Sequence, residues 1–160
     1  IIICITRNMV GVLSADAPIQ TARDYFDPRN LRDVRNCNML YKDAKKLYKR
    51  GEWGEAIKQY QKFFKINIAD FDGLIEASVC YHQLYREKKK KNLLDLSLEL
   101  LLQAKTLKGG STKLYSRLVE TYFAKGEKKE VTKYLESLQI RGEHEEVKRL
   151  KKIMKVEKTG

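Results

Sequence analysis

The sequence predicts an all-α fold in which antiparallel helical hairpins stack as a short solenoid, and three observations predict it. Proline and glycine are scarce, two and nine in 160 residues, while Lys, Leu and Glu crowd the middle and C-terminal regions, a bias that favours helix. Apolar residues recur at helical spacing in seven stretches. No stretch of comparable length alternates with period two, so no sheet is expected. The helical pattern also repeats, since Leu40, Ala44 and Leu47 are followed 34 residues on by Leu74, Ser78 and Tyr81. Such units cannot bury their apolar faces alone and must stack.

Taken in order, residues 1–28 form a separate N-terminal segment. Ile1–Thr6 and Met9–Ala15 are short apolar runs split by Arg7 and Asn8. Leu13-Ser14-Ala15-Asp16-Ala17 supplies small residues of the kind a signal peptidase accepts. Read as the tail of a secretory signal, the segment sends the protein to the periplasm or outside the cell. Read as a strand or helix covering the stack, it leaves the protein cytoplasmic. Neither run reaches the ~20 residues that a membrane span needs. Pro18 to Pro28 is an irregular lead-in, and Asp27-Pro28 reads as a helix start, because Asp caps free amides and Pro fits the first turn.

The repeats are placed at 29–142. A helix over Arg29–Arg50 is stopped by Gly51, and a second runs over Glu52–Ile66. The third is expected over Asp72–Arg86, followed by a lysine-rich turn (Lys88 to Lys91, then Asn92) and a fourth helix over Leu93–Leu107. Gly109-Gly110 breaks the chain. Helices over Thr112–Lys125 and Lys129–Ile140 end at Gly126 and near Gly142. The C-terminal unit, 143–160, holds a seventh helix over Glu143–Val156. It sets Val147, Leu150, Ile153 and Met154 on one face and Lys148, Arg149, Lys151, Lys152 and Lys155 on the other. Terminal repeats need a polar outer face, so this helix is read as a cap. The alternative is a basic amphipathic helix on an anionic membrane surface.

Composition bounds the function. With 42% apolar and 34% charged residues the chain is neither disordered nor membrane-spanning in composition. The net charge of +12 has two readings. Lysines coat the solvated faces of helices, or the protein meets nucleic acid, alone or in a ribonucleoprotein, or an anionic membrane. Cys4, Cys37 and Cys80 have no CxxC spacing and His82 and His144 lie far apart, so no metal site is expected. Whether Cys37 and Cys80 pair stays open.

Leu40, Ala44, Leu47, Gly51, Ala56 and Tyr60 fall at the spacings of the tetratricopeptide pattern, and Gly51-Glu52-Trp53-Gly54-Glu55-Ala56-Ile57 resembles that family's inter-helix turn. Leu74, Ala77, Ser78, Tyr81, Ser97, Leu101 and Ala104 make a second unit with seven extra residues, assigned to the lysine-rich turn. Tyr115, Leu118, Val119, Tyr122, Gly126, Val131, Leu135 and Leu138 make a third. The resemblance covers roughly residues 37–142. It implies a right-handed solenoid of about three units. Asp43, Phe63, Ile68 and Val119 depart from the pattern, at positions that hold in the family a large apolar residue, a small residue, proline, and Gly or Ala respectively.

No GxSxG, HExxH, phosphate-binding glycine loop or Cys beside a base occurs. The expectation is a non-catalytic interaction scaffold with no cofactor. The family resemblance implies a concave groove lined by the first helix of each hairpin. Its residues here would be Asn38, Tyr41, Lys45, Tyr48 and Lys49 from the first unit, then Asp72, Ile75, Val79, His82 and Gln83 from the second. Lys113, Ser116, Glu120, Phe123 and Ala124 come from the third. That is an aromatic and aliphatic trough suited to a peptide or helix of another protein. Tyr41 and Tyr48 are expected to face the groove, so replacing both with Ala should leave thermal stability largely intact.

Overall fold

A computed structural model describes residues 31–67 and 69–159, with side chains over 34–157 apart from 68. The readings of the N-terminal segment, the helix start at Asp27-Pro28 and the departure at Ile68 lie outside these residues. The described chain forms seven helices and no strand: α1 (Leu31–Lys49), α2 (Trp53–Ile66), α3 (Phe71–Lys88), α4 (Asn92–Leu107), α5 (Thr112–Lys125), α6 (Lys128–Ile140) and α7 (His144–Thr159).

Helix ends follow local chemistry. Asp70 caps α3, its Oδ1 accepting from the Gly73 amide at 2.6 Å. Gly73 also lets α3 pack tightly on α2, since a Cβ there would lie 3.2 Å from the Phe63 ring and 3.3 Å from the Phe64 ring. The dipeptide Gly-Glu closes three helices in the same way. Gly51, Gly126 and Gly142 have φ of +74°, +82° and +81°. In each case the following Glu amide reaches back to a carbonyl five residues earlier, Leu47, Tyr122 or Leu138, at 2.9–3.1 Å. With the glycine amide, which bonds to the carbonyl of Tyr48, Phe123 or Gln139 at 3.0–3.1 Å, it satisfies carbonyls that the helix itself leaves free. A Cβ on Gly126 would meet nothing within 4 Å, so only backbone strain opposes a substitution. Gly126→Ala is expected to cost about 1 kcal/mol in urea unfolding, and Gly126→Asn less, because Asn tolerates the left-handed region.

The lysine-rich turn is shorter than the sequence reading made it. α3 runs on to Lys88 and α4 begins at Asn92, so the connection is Lys89–Lys91, as short as the Arg50–Glu52 turn of the first hairpin. The extra residues lengthen α3 and α4 instead. Lys89 closes α3 in the left-handed region (φ 55°) without glycine.

α1 packs on α2, α3 on α4 and α5 on α6, and the hairpins stack through α2 on α3 and α4 on α5. Successive first helices also touch, α1 with α3, α3 with α5 and α5 with α7, while contacts between successive second helices are weaker. The stack therefore curves with the first helices on its inner side. Small residues sit at the crossing inside each of the first two hairpins. Ala44 and Ala56 are fully buried in the first. Ser78 and Ser97 stand there in the second, joined by a 2.8 Å bond from the Ser97 hydroxyl to the Ser78 carbonyl. Tyr60, Phe64, Leu74, Leu100, Leu101, Leu114, Leu118 and Leu138 fill the continuous core around them. Leu150 and Val147 join α7 to that core. Cys37 and Cys80 are buried free thiols. Burial, with Glu76 nearby, pushes the Cys80 thiol up to about 12, so at neutral pH it is an inert apolar group.

Candidate partner-binding groove

The inner face is laced by ion pairs between neighbouring first helices. Lys45 of α1 reaches Glu76 of α3 at 3.5 Å, and Asp72 of α3 meets Lys113 of α5 at 3.3 Å. Glu120 of α5 meets Arg149 of α7 at 3.3 Å. The lengthened α3 carries Arg86 as far as Glu157 near the end of α7, 2.8 Å away. Glu76 is buried and also accepts a 2.6 Å bond from the Tyr60 hydroxyl. Burial first, then this carboxylate, drives the Tyr60 hydroxyl well above its ordinary range. The bond lets a buried carboxylate persist beside an aromatic core.

The residues expected to line a groove divide into three groups. Asn38, Lys49, Asp72 and Lys113 are exposed, and Lys45, Gln83, Glu120 and Ala124 are partly so. Ile75, at 1% exposure, belongs to the core, and Val79 and Ser116 are buried as well. The trough is therefore less aliphatic than its sequence positions suggest, because close approach of α1, α3 and α5 covers these side chains. Ser116 spends its hydroxyl on the Thr112 carbonyl at 2.8 Å. His82 is buried between α3 and α5, beside a small crevice lined by Arg86, Arg117 and Glu120. Burial, with the Arg86 charge second, holds its imidazole down to about 4, so it is neutral at physiological pH.

The aromatic side chains of that set also pack within the repeats. The Tyr41 ring lies 5.1 Å from Phe63 and 6.4 Å from Tyr60, and Tyr48 lies edge-on to Trp53 at 5.8 Å. Both are half-buried parts of the first hairpin, with Lys45 over the Tyr41 ring. Replacing either with Ala is therefore expected to lower the melting temperature, contrary to the expectation that the pair could be removed without cost. Phe123 is turned away from the groove and lines a cavity against α6 and α7.

The groove reading left out Arg86 and Arg117, and it set Arg149 and Lys152 on the outer basic face of the C-terminal helix. With Glu120, Ile153, Val156 and Glu157 they border an open basin of about 450 Å³ between α3, α5 and α7. The 2.5 Å pair between Arg149 and Glu146 holds that carboxyl below its ordinary value and fixes the arginine at the edge. Arg86 could have been found from its place one turn after His82 on the same helix face. Arg149 could have been found by treating α7 as another first helix.

A curved stack of helical hairpins whose first helices form a continuous inner face defines a helical-repeat domain. No family model matches the chain, and no curated protein matches it. Among solved structures it is similar to the first TPR of Spaghetti (RPAP3) bound to the HSP90 peptide SRMEEVD. The TM-score is 0.63 at 20% identity, over 79% of this chain and 95% of that one. The chain has the tetratricopeptide-repeat fold.

Proposed function

We propose that this chain is a non-catalytic adaptor that holds a peptide or helix of another protein against the inner face of α1, α3 and α5. The observation that carries this reading is the division of that face. Core packing consumes Ile75, Val79 and Ser116 and leaves Asn38, Lys49, Gln83 and Lys113 with surface to offer. The similar structure holds a peptide by its own description, which supports a peptide-sized partner here. Along this face cations alternate with carboxylates, as at Lys45–Glu76 and Asp72–Lys113. Such mixed charge favours a protein partner over a polyanion, whose phosphates would meet Asp72 as well as the lysines and find Lys45 and Lys113 already paired. In the described residues no helix is long and apolar enough to cross a membrane.

The test selects peptides from a displayed random library on the wild-type chain, then compares them on a Lys49→Ala/Gln83→Ala/Lys113→Ala variant. These side chains lie outside the core, so the melting temperature should hold. Affinity should fall about tenfold or more, the equivalent of about 1.4 kcal/mol. Unchanged affinity on the folded variant would remove the inner face from consideration.

A further inference from the structure

α7 lacks something that α1, α3 and α5 have. Each of those is covered by the second helix of its own hairpin, whereas among the described residues α7 packs chiefly on α5 and α6, with Arg86 of α3 reaching its last turns. Beside its last turns, facing the start of α6, lies an open cavity of about 610 Å³. Its floor is apolar, formed by Phe123, Val131 and Met154, and its rim carries Lys128, Lys151 and Lys155. No described carboxylate lines it.

We propose that this groove is a docking site for the apolar face of an acidic amphipathic helix carried by another protein. Two features select that occupant. The groove lies between two helices on the open flank of α7, where the repeating lattice of helix on helix would next place a partner. A helix laid there buries its apolar stripe on Phe123, Val131 and Met154, the common mode of helix-in-groove recognition. The second feature is charge. Lys128 and Lys151 flank the floor and no described carboxylate lines it, so acidic residues flanking an apolar stripe find complementary partners and basic ones are repelled. Lys151 and Met154 flank Leu150 on the opposite side from Arg149, Lys152 and Ile153, which border the inner-face basin. The two sites are separate, and this one does not depend on the groove of α1, α3 and α5.

The probe is a synthetic amphipathic helix with Leu at i, i+3, i+4 and i+7 and Glu on both flanks. A version with Lys flanks and a scrambled peptide of the acidic composition serve as comparisons. Methionine methyl resonances of the full chain report location, because Met154 lines the groove while Met39 lies exposed on α1 at the other end of the stack. The acidic helix should shift the Met154 methyl saturably and leave Met39 in place. The Lys-flanked and scrambled peptides should not shift Met154. Lys128→Glu/Lys151→Glu, at two exposed positions, should weaken the acidic helix at least tenfold and admit the Lys-flanked one. A silent Met154, or equal shifts from the scrambled peptide, overturns the proposal. So does a wild-type dimer in sedimentation that the double variant dissociates, because a second copy then occupies the groove. Inner-face variants should leave these shifts unchanged, so failure here and failure of the adaptor reading are told apart.

Discussion

Ala56→Leu is expected to destabilise the chain by about 1–3 kcal/mol, read as a lower urea midpoint with little change in slope. Ala56 has no exposed surface and faces an equally buried Ala44 across the first hairpin. The second hairpin shows how close that crossing is, because Ser97 and Ser78 are near enough there for a 2.8 Å hydrogen bond. A leucine at position 56 adds three heavy atoms to a contact already filled by the backbones of α1 and α2. The side chain must leave its preferred rotamer or the helices must part. Lys49→Ala, on the exposed surface of α1, is the comparison and should change stability by less than about 0.5 kcal/mol. Tyr41→Ala should fall with Ala56→Leu rather than with Lys49→Ala, because its ring packs on Phe63 and Tyr60. A silent Ala56→Leu would mean that α2 is rotated from the orientation described here.

Much of the fold was legible because helix and repeat signals are local. Gly51 and Gly126 stop α1 and α5 through a backbone conformation that few other residues accept, and the small residues at 44 and 78 lie one 34-residue period apart. The lengths of α3 and α4 were misjudged for a physical reason. A run of lysines resembles a solvated turn, yet lysine is a good helix former, and α3 simply continues through Lys88. The inner face was read less well than the fold. Position within a repeat says that a side chain points inward, but not whether a neighbouring first helix then covers it. Ile75 and Val79 point inward and are covered, Lys49 is not, and the difference depends on how tightly α1, α3 and α5 approach. Phe123 shows the converse limit. It stands near the end of α5, where the turn at Gly126 and the C-terminal part of α7 decide which way the ring lies. Arg86 and Arg149 were left out of the groove because the family pattern assigns neither of them a groove position.

Between pH 7.5 and pH 5 the folded chain is expected to lose about 2 kcal/mol of stability through His82 alone. In the unfolded chain its imidazole titrates near the ordinary value of about 6.5, whereas in the fold it is held down to about 4. Burial is the larger cause and the Arg86 guanidinium the second, with Arg117 adding to them and Glu120 opposing. Above the unfolded value neither state binds the proton and His82 contributes no pH dependence. As the pH falls below it, the unfolded state takes up a proton that the folded state refuses, and stability drops. The loss levels off below about 4, where the folded imidazole also protonates. His82→Gln keeps a polar group in the same crevice and removes the titration, so its stability should be nearly flat over pH 7.5 to 5. Urea midpoints of the two proteins at matched ionic strength measure the difference directly. If both lose stability equally over that range, His82 protonates freely in the folded state, and the crevice between α3 and α5 must open to water.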